Sequence, residues 1–201
     1  MSQRLAVSMR RLTSEYGEVR DGLARDWGRF IRTALPGRLW TPAPSLAGEG
    51  DMEKFLEGFG IDGLIFSGGE DWGSNPERDA AETAMFRWAR SRRVPVLGVC
   101  RGAQVLNLLL GGGLSPVDGH RAVRHPVEAE GRRFEVNSYH NQGLTPGDLA
   151  PGLTPLARAA DDTIEAFALG DAPVAGLLWH PEREEAVGNF DRQILRRLFG
   201  G

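Results

Sequence analysis

The sequence has very little of two residue types on which covalent catalysis often depends. Its 201 residues include one cysteine, Cys100, and among the 24 basic residues only Lys54 is a lysine. One cysteine cannot form an intramolecular disulfide bond, which is typical of a protein in a reducing compartment. Arginine stays protonated and is a poor nucleophile, so catalysis through an amine has almost no candidate.

Long apolar runs and an excess of one charge are also lacking. No stretch approaches the roughly 20 apolar residues of a membrane helix, and the N-terminal MSQRLAVSMRRL lacks the apolar core of a secretory signal. With 24 basic and 27 acidic residues, the formal charge of -3 favours neither nucleic acid nor a membrane as partner. We expect a cytoplasmic protein with one domain over residues 1–201.

Strands alternate with helices over the first 114 residues. Apolar runs predict strands at 4–9, 38–44, 61–66 and 94–99, and helical periodicity predicts helices at 19–34, 51–60, 75–90 and 101–110. This order predicts an α/β fold, an open and mostly parallel sheet with helices on both faces. In the second half, runs at 122–130, 132–140, 156–160, 163–169 and 173–179 predict added antiparallel strands, followed by a final helix at 189–199.

The lone cysteine lies in GVCRG, between a predicted strand and a predicted helix. G-x-C-x-G is the cysteine form of a nucleophile elbow, in which a tight turn exposes the nucleophile and small neighbours permit the strained backbone. The helix N-terminus would favour the thiolate, and the N–H of Arg101 would face a developing oxyanion. The alternative is a buried core cysteine, which is the common state of a free thiol.

A nucleophilic cysteine needs a base and a group that orients the base. His180 directly follows an apolar strand, and Glu182 lies two residues later, on the same side of an extended chain. Together with Cys100 they predict a Cys-His-Glu triad. His120 and His125 lie in a polar, arginine-rich stretch and are expected to be loop residues without a role in the site. No Cys/His spacing indicates a zinc site, so we expect neither a metal nor an organic cofactor.

A second oxyanion donor is expected in FSGGEDW, where a buried strand ends at glycine residues. The N–H of Gly69 could approach a substrate there without side-chain obstruction. The alternative is an ordinary glycine turn.

The segments PVLGVCRGAQVLN, FSGGEDW, VNSYHNQGL, TIEAFAL and GLLWHPE, in this order, resemble the class I glutamine amidotransferase family and its γ-glutamyl hydrolase branch. The resemblance spans about residues 60 to 185. It implies a flavodoxin-like sheet with Cys100, His180 and Glu182 as triad and with Gly69 and Arg101 as oxyanion-hole amides. The positions that match γ-glutamyl-binding residues are Gln104, Ser138, Tyr139 and His140.

The resemblance implies a hydrolase that cleaves a γ-glutamyl amide to glutamate and an amine. Asn141 stands where the branch usually has a second histidine, and the N-terminal region is similar to that of stand-alone members that act on a nucleotide-linked phosphoramidate in surface-polysaccharide pathways. One alternative is a glutaminase subunit that delivers ammonia to a separate synthase chain. A non-enzymatic scaffold with a redox-sensitive thiol is the other, although a sensor requires no orienting carboxylate.

Overall fold

A computed structural model of the protein describes residues 3–46 and 48–200; the remaining positions of the expected domain lie outside this description. The strands, in chain order, are β1 (Arg4–Ser8), β2 (Arg10–Thr13), β3 (Val19–Gly22), β4 (Leu39–Ala43), β5 (Gly63–Phe66), β6 (Val96–Val99), β7 (Ser115–Pro116), β8 (Arg121–Ala129), β9 (Arg132–Tyr139), β10 (Gln142–Gly143), β11 (Leu153–Ala159), β12 (Ile164–Leu169) and β13 (Val174–Leu177). The helices are α1 (Asp26–Ala34), α2 (Glu49–Gly58), α3 (Pro76–Arg92), α4 (Arg101–Leu109) and α5 (Asn189–Phe199), with a 3₁₀ turn at Pro181–Arg183.

Nine strands form the main sheet in the order β4-β1-β5-β6-β13-β12-β11-β8-β9. The first five are parallel to one another, and each later neighbour pairs antiparallel. The predicted α/β sheet with antiparallel strands added in the second half is therefore confirmed. Strand β13 closes the parallel part next to β6 although 74 residues or more separate them in sequence, a placement that strand periodicity alone does not predict.

Helices cover both faces of the parallel half because successive strand residues point to opposite faces. On one face, apolar residues of α2, α3 and α4 pack on the strands, among them Met52, Met85 and Val105. On the other face, α1 and α5 cover the sheet with Trp27, Ile31 and Leu195. The described helices include none that is both long and apolar enough to cross a membrane.

The predicted helix over 19–34 is wrong in its first part. Residues Arg10–Thr13 and Val19–Gly22 form a two-stranded hairpin, and the helix begins at Asp26. Val19 and Leu23 have helical spacing to the later apolar residues, but Val19 is 48% exposed and contributes nothing to the core. Gly17, with a φ of +80°, provides the turn, because this backbone region is open to glycine.

Candidate active site

Three neighbouring parallel strands bring the predicted site residues to one edge of the sheet. Strand β6 lies between β5 and β13. The turn Ser67–Gly69 follows β5, Cys100 follows β6, and His180 lies three residues beyond β13. The carboxyl ends of parallel strands meet at one edge, which is the usual place for a ligand in open α/β sheets. A cavity of about 130 Å³ opens there and is bordered by Cys100, His180, Glu182 and the glycine turn.

The backbone at Cys100 has the strained geometry of a nucleophile elbow. Its φ of +52° and ψ of -112° lie in a region that side-chain-bearing residues rarely adopt. A Cβ atom on Gly98 would lie 2.5 Å from the carbonyl oxygen of Gly102, and one on Gly102 would lie 2.1 Å from that of Phe66. Both glycines of G-x-C-x-G are thus required by close packing of the backbone around the turn.

His180 and Glu182 are both buried and directly bonded. Nδ1 of His180 lies 2.7 Å from Oε1 of Glu182, and both side chains are 3% exposed. A Cβ atom added to Gly68 would lie 2.7 Å from Cε1 of His180 and 3.6 Å from Cβ of Cys100, so the imidazole and the cysteine border the same glycine. Burial alone would lower the pKa of His180, but hydrogen bonds and negative charge from Cys100 and Glu182 raise it to about 9.

The two N–H groups predicted as oxyanion donors have no hydrogen-bond acceptor within the described residues. Within the described residues, neither the N–H of Gly69 nor that of Arg101 donates to a backbone or side-chain acceptor. Gly69 borders the cavity, and Arg101 is the first residue of α4 after Cys100. Their assignment as an oxyanion hole stays a prediction.

The four residues predicted to bind the γ-glutamyl group have different placements. Tyr139 borders the cavity, and its ring centroid lies 5.6 Å from that of His180. The side chains of the other three hydrogen bond to backbone carbonyls: Gln104 and His140 to that of Gln142, and Ser138 to that of His120. Contact of these three with a substrate stays a prediction.

Two residues that the sequence analysis did not single out hold the triad candidates in place. The side-chain amide of Asn137, on β9, accepts from the N–H of His180 and donates to its carbonyl, both at 2.9 Å. Arg29, on α1, donates to the carbonyl of Glu182 at 2.9 Å. Asn137 immediately precedes Ser138 in the VNSYHNQ motif, so its place in that motif was a signal for it.

A buried group of four charged side chains lies behind the glycine turn. We refer to Arg78, Asp79, Glu82 and Arg101 as the arginine–carboxylate cluster. Arg101 pairs with Asp79 and Glu82, and Nε of Arg78 lies 3.1 Å from Glu82. Arg78 also donates to the carbonyls of Ser67, at 2.8 Å, and Gly68, at 3.2 Å. The cluster therefore fixes the peptide groups that lead into Gly69, and the Arg101 side chain is committed to ion pairs.

A second buried group contains three of the four histidines. We refer to His120, His125, His140 and Glu165 as the histidine–glutamate cluster. The expectation that His120 and His125 decorate a loop is wrong, because His120 is 3% exposed and His125 lies within β8 with a side chain 15% exposed. Both rings face Glu165, which is completely buried in β12. The sequence did not predict this burial because the strands that bring the histidines together are distant in sequence.

Comparisons with known proteins agree with this geometry. The family described as "Glutamine amidotransferase class-I" matches residues 48–199. The γ-glutamyl-CDP-amidate hydrolase of Campylobacter jejuni is 33% identical over 190 residues, which are 92% of this chain and 90% of that protein. The γ-glutamyl-γ-aminobutyrate hydrolase of Escherichia coli O157:H7 is 31% identical over 149 residues, 59% of this chain and 58% of that protein.

Solved structures share the fold at low sequence identity. A candidate GMP synthase subunit from Thermoplasma acidophilum superposes with a TM-score of 0.73, at 19% identity, over 100% of this chain and 94% of that chain. A glutamine amidotransferase of Thermotoga maritima gives a TM-score of 0.64, at 16% identity, over 98% of this chain and 80% of that chain. These structures show the architecture alone.

Proposed function

Because this chain belongs to the class I glutamine amidotransferase family, we propose that it is a cysteine-dependent hydrolase of γ-glutamyl amide bonds. Its products are glutamate and the amine to which the γ-carboxyl group was joined. The observation that carries the proposal is the meeting of a strained Cys100 and the bonded pair His180–Glu182 at one cavity. The relatives named as γ-glutamyl hydrolases support this reaction over others of the fold.

In the first half of the reaction, the Cys100 thiolate attacks the δ-carbonyl carbon of the γ-glutamyl group. The carbonyl oxygen becomes an oxyanion that the N–H groups of Gly69 and Arg101 stabilise. When the tetrahedral intermediate collapses, the carbon–nitrogen bond breaks and the leaving nitrogen takes a proton from His180. The pKa of His180, about 9, keeps the imidazolium form available for this step at neutral pH.

In the second half, a water molecule hydrolyses the resulting thioester. His180, now neutral, accepts a proton from the water as the oxygen attacks the thioester carbon. Collapse of this second intermediate releases glutamate and restores the thiolate and the imidazolium. Glu182 holds the imidazole through Nδ1 and balances its positive charge during both halves, as the orienting carboxylate does in catalytic triads.

The residues that line the cavity support a substrate whose amine half is negatively charged. Arg10 and Arg183 line it, and the guanidinium of Arg183 lies 4.4 Å from the ring centroid of Tyr139. The only carboxylate among the lining residues, Glu182, is bonded to His180 and lies 3.8 Å from Nε of Arg183. Arg10 lies 3.6 Å from Glu70, and the side chains of Arg10 and Arg183 remain 49% and 41% exposed. Arginine suits phosphate recognition, and the exposed ring of Tyr139 offers a stacking surface. We therefore propose a γ-glutamyl nucleotide phosphoramidate as substrate, the class that the Campylobacter relative's name describes.

The test is glutamate release by the purified protein from three compounds: L-glutamine, a neutral γ-glutamyl amine and a γ-glutamyl nucleotide phosphoramidate. We expect the phosphoramidate to be preferred and the Cys100→Ala variant to release nothing above background. Near-normal release by Cys100→Ala would overturn the mechanism. Weak release from every compound would instead favour a glutaminase subunit that depends on a synthase partner.

A matched pair of arginine variants tests the amine half separately. Arg183→Gln should raise the KM for the phosphoramidate about fivefold, which corresponds to about 1 kcal/mol, and leave the KM for the neutral amine unchanged. Arg25→Gln is the control, since Arg25 is exposed and lies outside the cavity lining. Equal effects of Arg183→Gln on both substrates would contradict recognition of a phosphate group but not the hydrolase reaction.

A further inference from the structure

The histidine–glutamate cluster joins three strands of the antiparallel half. His120 immediately precedes β8 and His125 lies within it, His140 follows the last residue of β9, and Glu165 lies in β12. Glu165 is the one charged residue of the buried strand Ile164–Leu169. Burial of a carboxylate in an apolar strand is costly unless the carboxylate is paired or bound to a metal ion. The groups that contact Glu165 therefore determine how its charge is stabilised.

The ligating atoms of the cluster converge on a single point. Oε1 of Glu165 lies 3.0 Å from Nδ1 of His120, 3.5 Å from Nε2 of His140 and 3.9 Å from Nε2 of His125. Ligand atoms of His120, His140 and Glu165 all lie within 4.8 Å of one another. Zn–N and Zn–O bonds of about 2.0–2.1 Å in a tetrahedron place ligand atoms about 3.3 Å apart.

These atoms have no hydrogen-bond partner elsewhere in the described chain. Nδ1 of His120, Nε2 of His125, Nε2 of His140 and both oxygens of Glu165 are buried and unsatisfied. Nδ1 of His120 lies 3.0 Å from Oε1 of Glu165, but the pair does not have the geometry of a hydrogen bond. Five unsatisfied atoms in one place are exceptional, since buried polar groups are normally paired.

The opposite nitrogen of the two nearest imidazoles is occupied. Nε2 of His120 lies 2.9 Å from Oδ2 of Asp161, and Nδ1 of His140 lies 3.0 Å from the carbonyl oxygen of Gln142. When a neutral ring donates from one nitrogen, the other carries a lone pair. Because the carboxylates of Glu165 and Asp161 raise the pKa of His120 to about 8, a metal ion would bind this ring in place of a proton. Metal-binding histidines typically donate their second nitrogen to a carboxylate or a backbone carbonyl in this way.

We propose that His120 Nδ1, His140 Nε2 and the Glu165 carboxylate bind a Zn²⁺ ion, with His125 facing the fourth coordination position. Imidazole and carboxylate suit Zn²⁺, whereas Mg²⁺ and Ca²⁺ prefer oxygen ligands only. Ligands at the start of β8, at the end of β9 and within β12 would hold these three strands together. A bound ion would brace the end of β9, the strand from which Asn137 bonds to the backbone of His180.

The test measures metal binding by the Cys100→Ala variant, which lacks the only thiol and so the competing Cys100–His180 pair. The protein is stripped with a chelator and titrated with Zn²⁺. We expect one Zn²⁺ per chain by elemental analysis and a Tm that rises with Zn²⁺ concentration, because an ion that binds only the folded state stabilises it. Mg²⁺ should leave Tm unchanged, and Co²⁺ should give the visible spectrum of tetrahedral nitrogen and oxygen ligands.

Variants in the same Cys100→Ala background locate the ion. His120→Asn and Glu165→Gln should each lower the affinity for Zn²⁺ by more than tenfold, and Asp161→Asn by about 10- to 100-fold through its bond to His120. His180→Asn removes the one histidine outside the cluster and should retain one Zn²⁺ per chain. Asp161 is half exposed, so its variant serves if a buried variant fails to fold.

Three results would overturn the proposal. The first is that the folded, stripped protein does not bind Zn²⁺. The second is that His120→Asn or Asp161→Asn leaves the affinity for Zn²⁺ unchanged. The third is that only His180→Asn abolishes Zn²⁺ binding. None of these measurements depends on turnover. Failure of the metal site is therefore distinguishable from failure of the proposed hydrolase reaction.

Discussion

The structure contains two buried clusters of ionisable side chains besides the candidate site, and the two differ in how far their polar atoms find partners within the protein. The arginine–carboxylate cluster matches two guanidinium groups with two carboxylates, and its ion pairs join α3 to α4. The histidine–glutamate cluster has three imidazoles for one carboxylate and leaves five of its atoms without a hydrogen-bond partner in the described chain. The first cluster is satisfied by protein groups alone, apart from Nε of Arg101, whereas the second is not.

The chemistry of the cations explains the difference. A guanidinium group cannot lose its proton in a protein, so a buried arginine must be paired with a carboxylate. An imidazole is neutral when it loses a proton and then offers a lone pair to a metal ion. The arginine–carboxylate cluster thus serves as a fixed support for the turn at Ser67–Gly69, and the histidine–glutamate cluster is suited to an added ion.

The largest expected effect comes from breaking the arginine–carboxylate cluster. Glu82→Gln leaves Arg78 and Arg101 without their shared carboxylate and should lower the free energy of unfolding by about 3–5 kcal/mol. The measurement is urea denaturation at pH 7, followed by far-UV circular dichroism. Glutamate release should fall as well, because Arg78 holds the carbonyls that precede Gly69.

Glu77→Gln is the matched control for this change. Glu77 lies on the same helix, its side chain is 62% exposed, and its partner is the half-buried Arg11. An exposed pair of this kind contributes about 0–1 kcal/mol. If Glu82→Gln costs no more than Glu77→Gln, the cluster is not the support that the structure indicates.

A smaller effect is expected when the same substitution is made in the other cluster. In protein stripped of metal ions, Glu165→Gln should lower the free energy of unfolding by about 1–3 kcal/mol, the cost of leaving buried polar groups unsatisfied. The loss is smaller than for Glu82→Gln because an imidazole can release its proton when its carboxylate is removed, whereas a guanidinium group cannot. A loss as large as that of Glu82→Gln would mean that the imidazoles keep their protons after the carboxylate is removed, and would argue against the proposed metal site.

The contrast between the clusters also separates what the sequence predicts from what it does not. Strand, glycine turn and proposed nucleophile are adjacent in GVCRG and FSGG, so local chemistry predicts the elbow and the parallel half of the sheet. The partners of His120 and His140 lie on β12, 25 residues or more away in sequence. Such pairings depend on strand order, which periodicity does not encode.

Some local signals for the clusters were nevertheless present. Glu165 is a lone charge within the apolar run IEAFAL, a pattern that indicates a buried carboxylate with a specific partner. Arg78 and Glu82 have the i, i+4 spacing of an ion pair on one face of a helix, and that face is buried here. The segment at 19–22 shows the opposite error, since Val19 has helical spacing to the later apolar residues but lies in an exposed hairpin strand.

The smallest expected effect concerns the proton affinity of His180, which neither cluster should alter. Its pKa of about 9 results from burial opposed by Cys100 and Glu182. We therefore expect kcat/KM to fall as the pH rises through about 9, because deprotonated His180 cannot protonate the leaving nitrogen. The pKa itself is measured by NMR of the imidazole, with His180→Asn to assign the resonance. Cys100→Ala and Glu182→Gln should lower the pKa of His180, whereas Glu165→Gln should leave it unchanged. A shift of this pKa with Glu165→Gln would show that the histidine–glutamate cluster acts electrostatically on the proposed base. That effect would add to the contact of Asn137, on β9, with the backbone of His180.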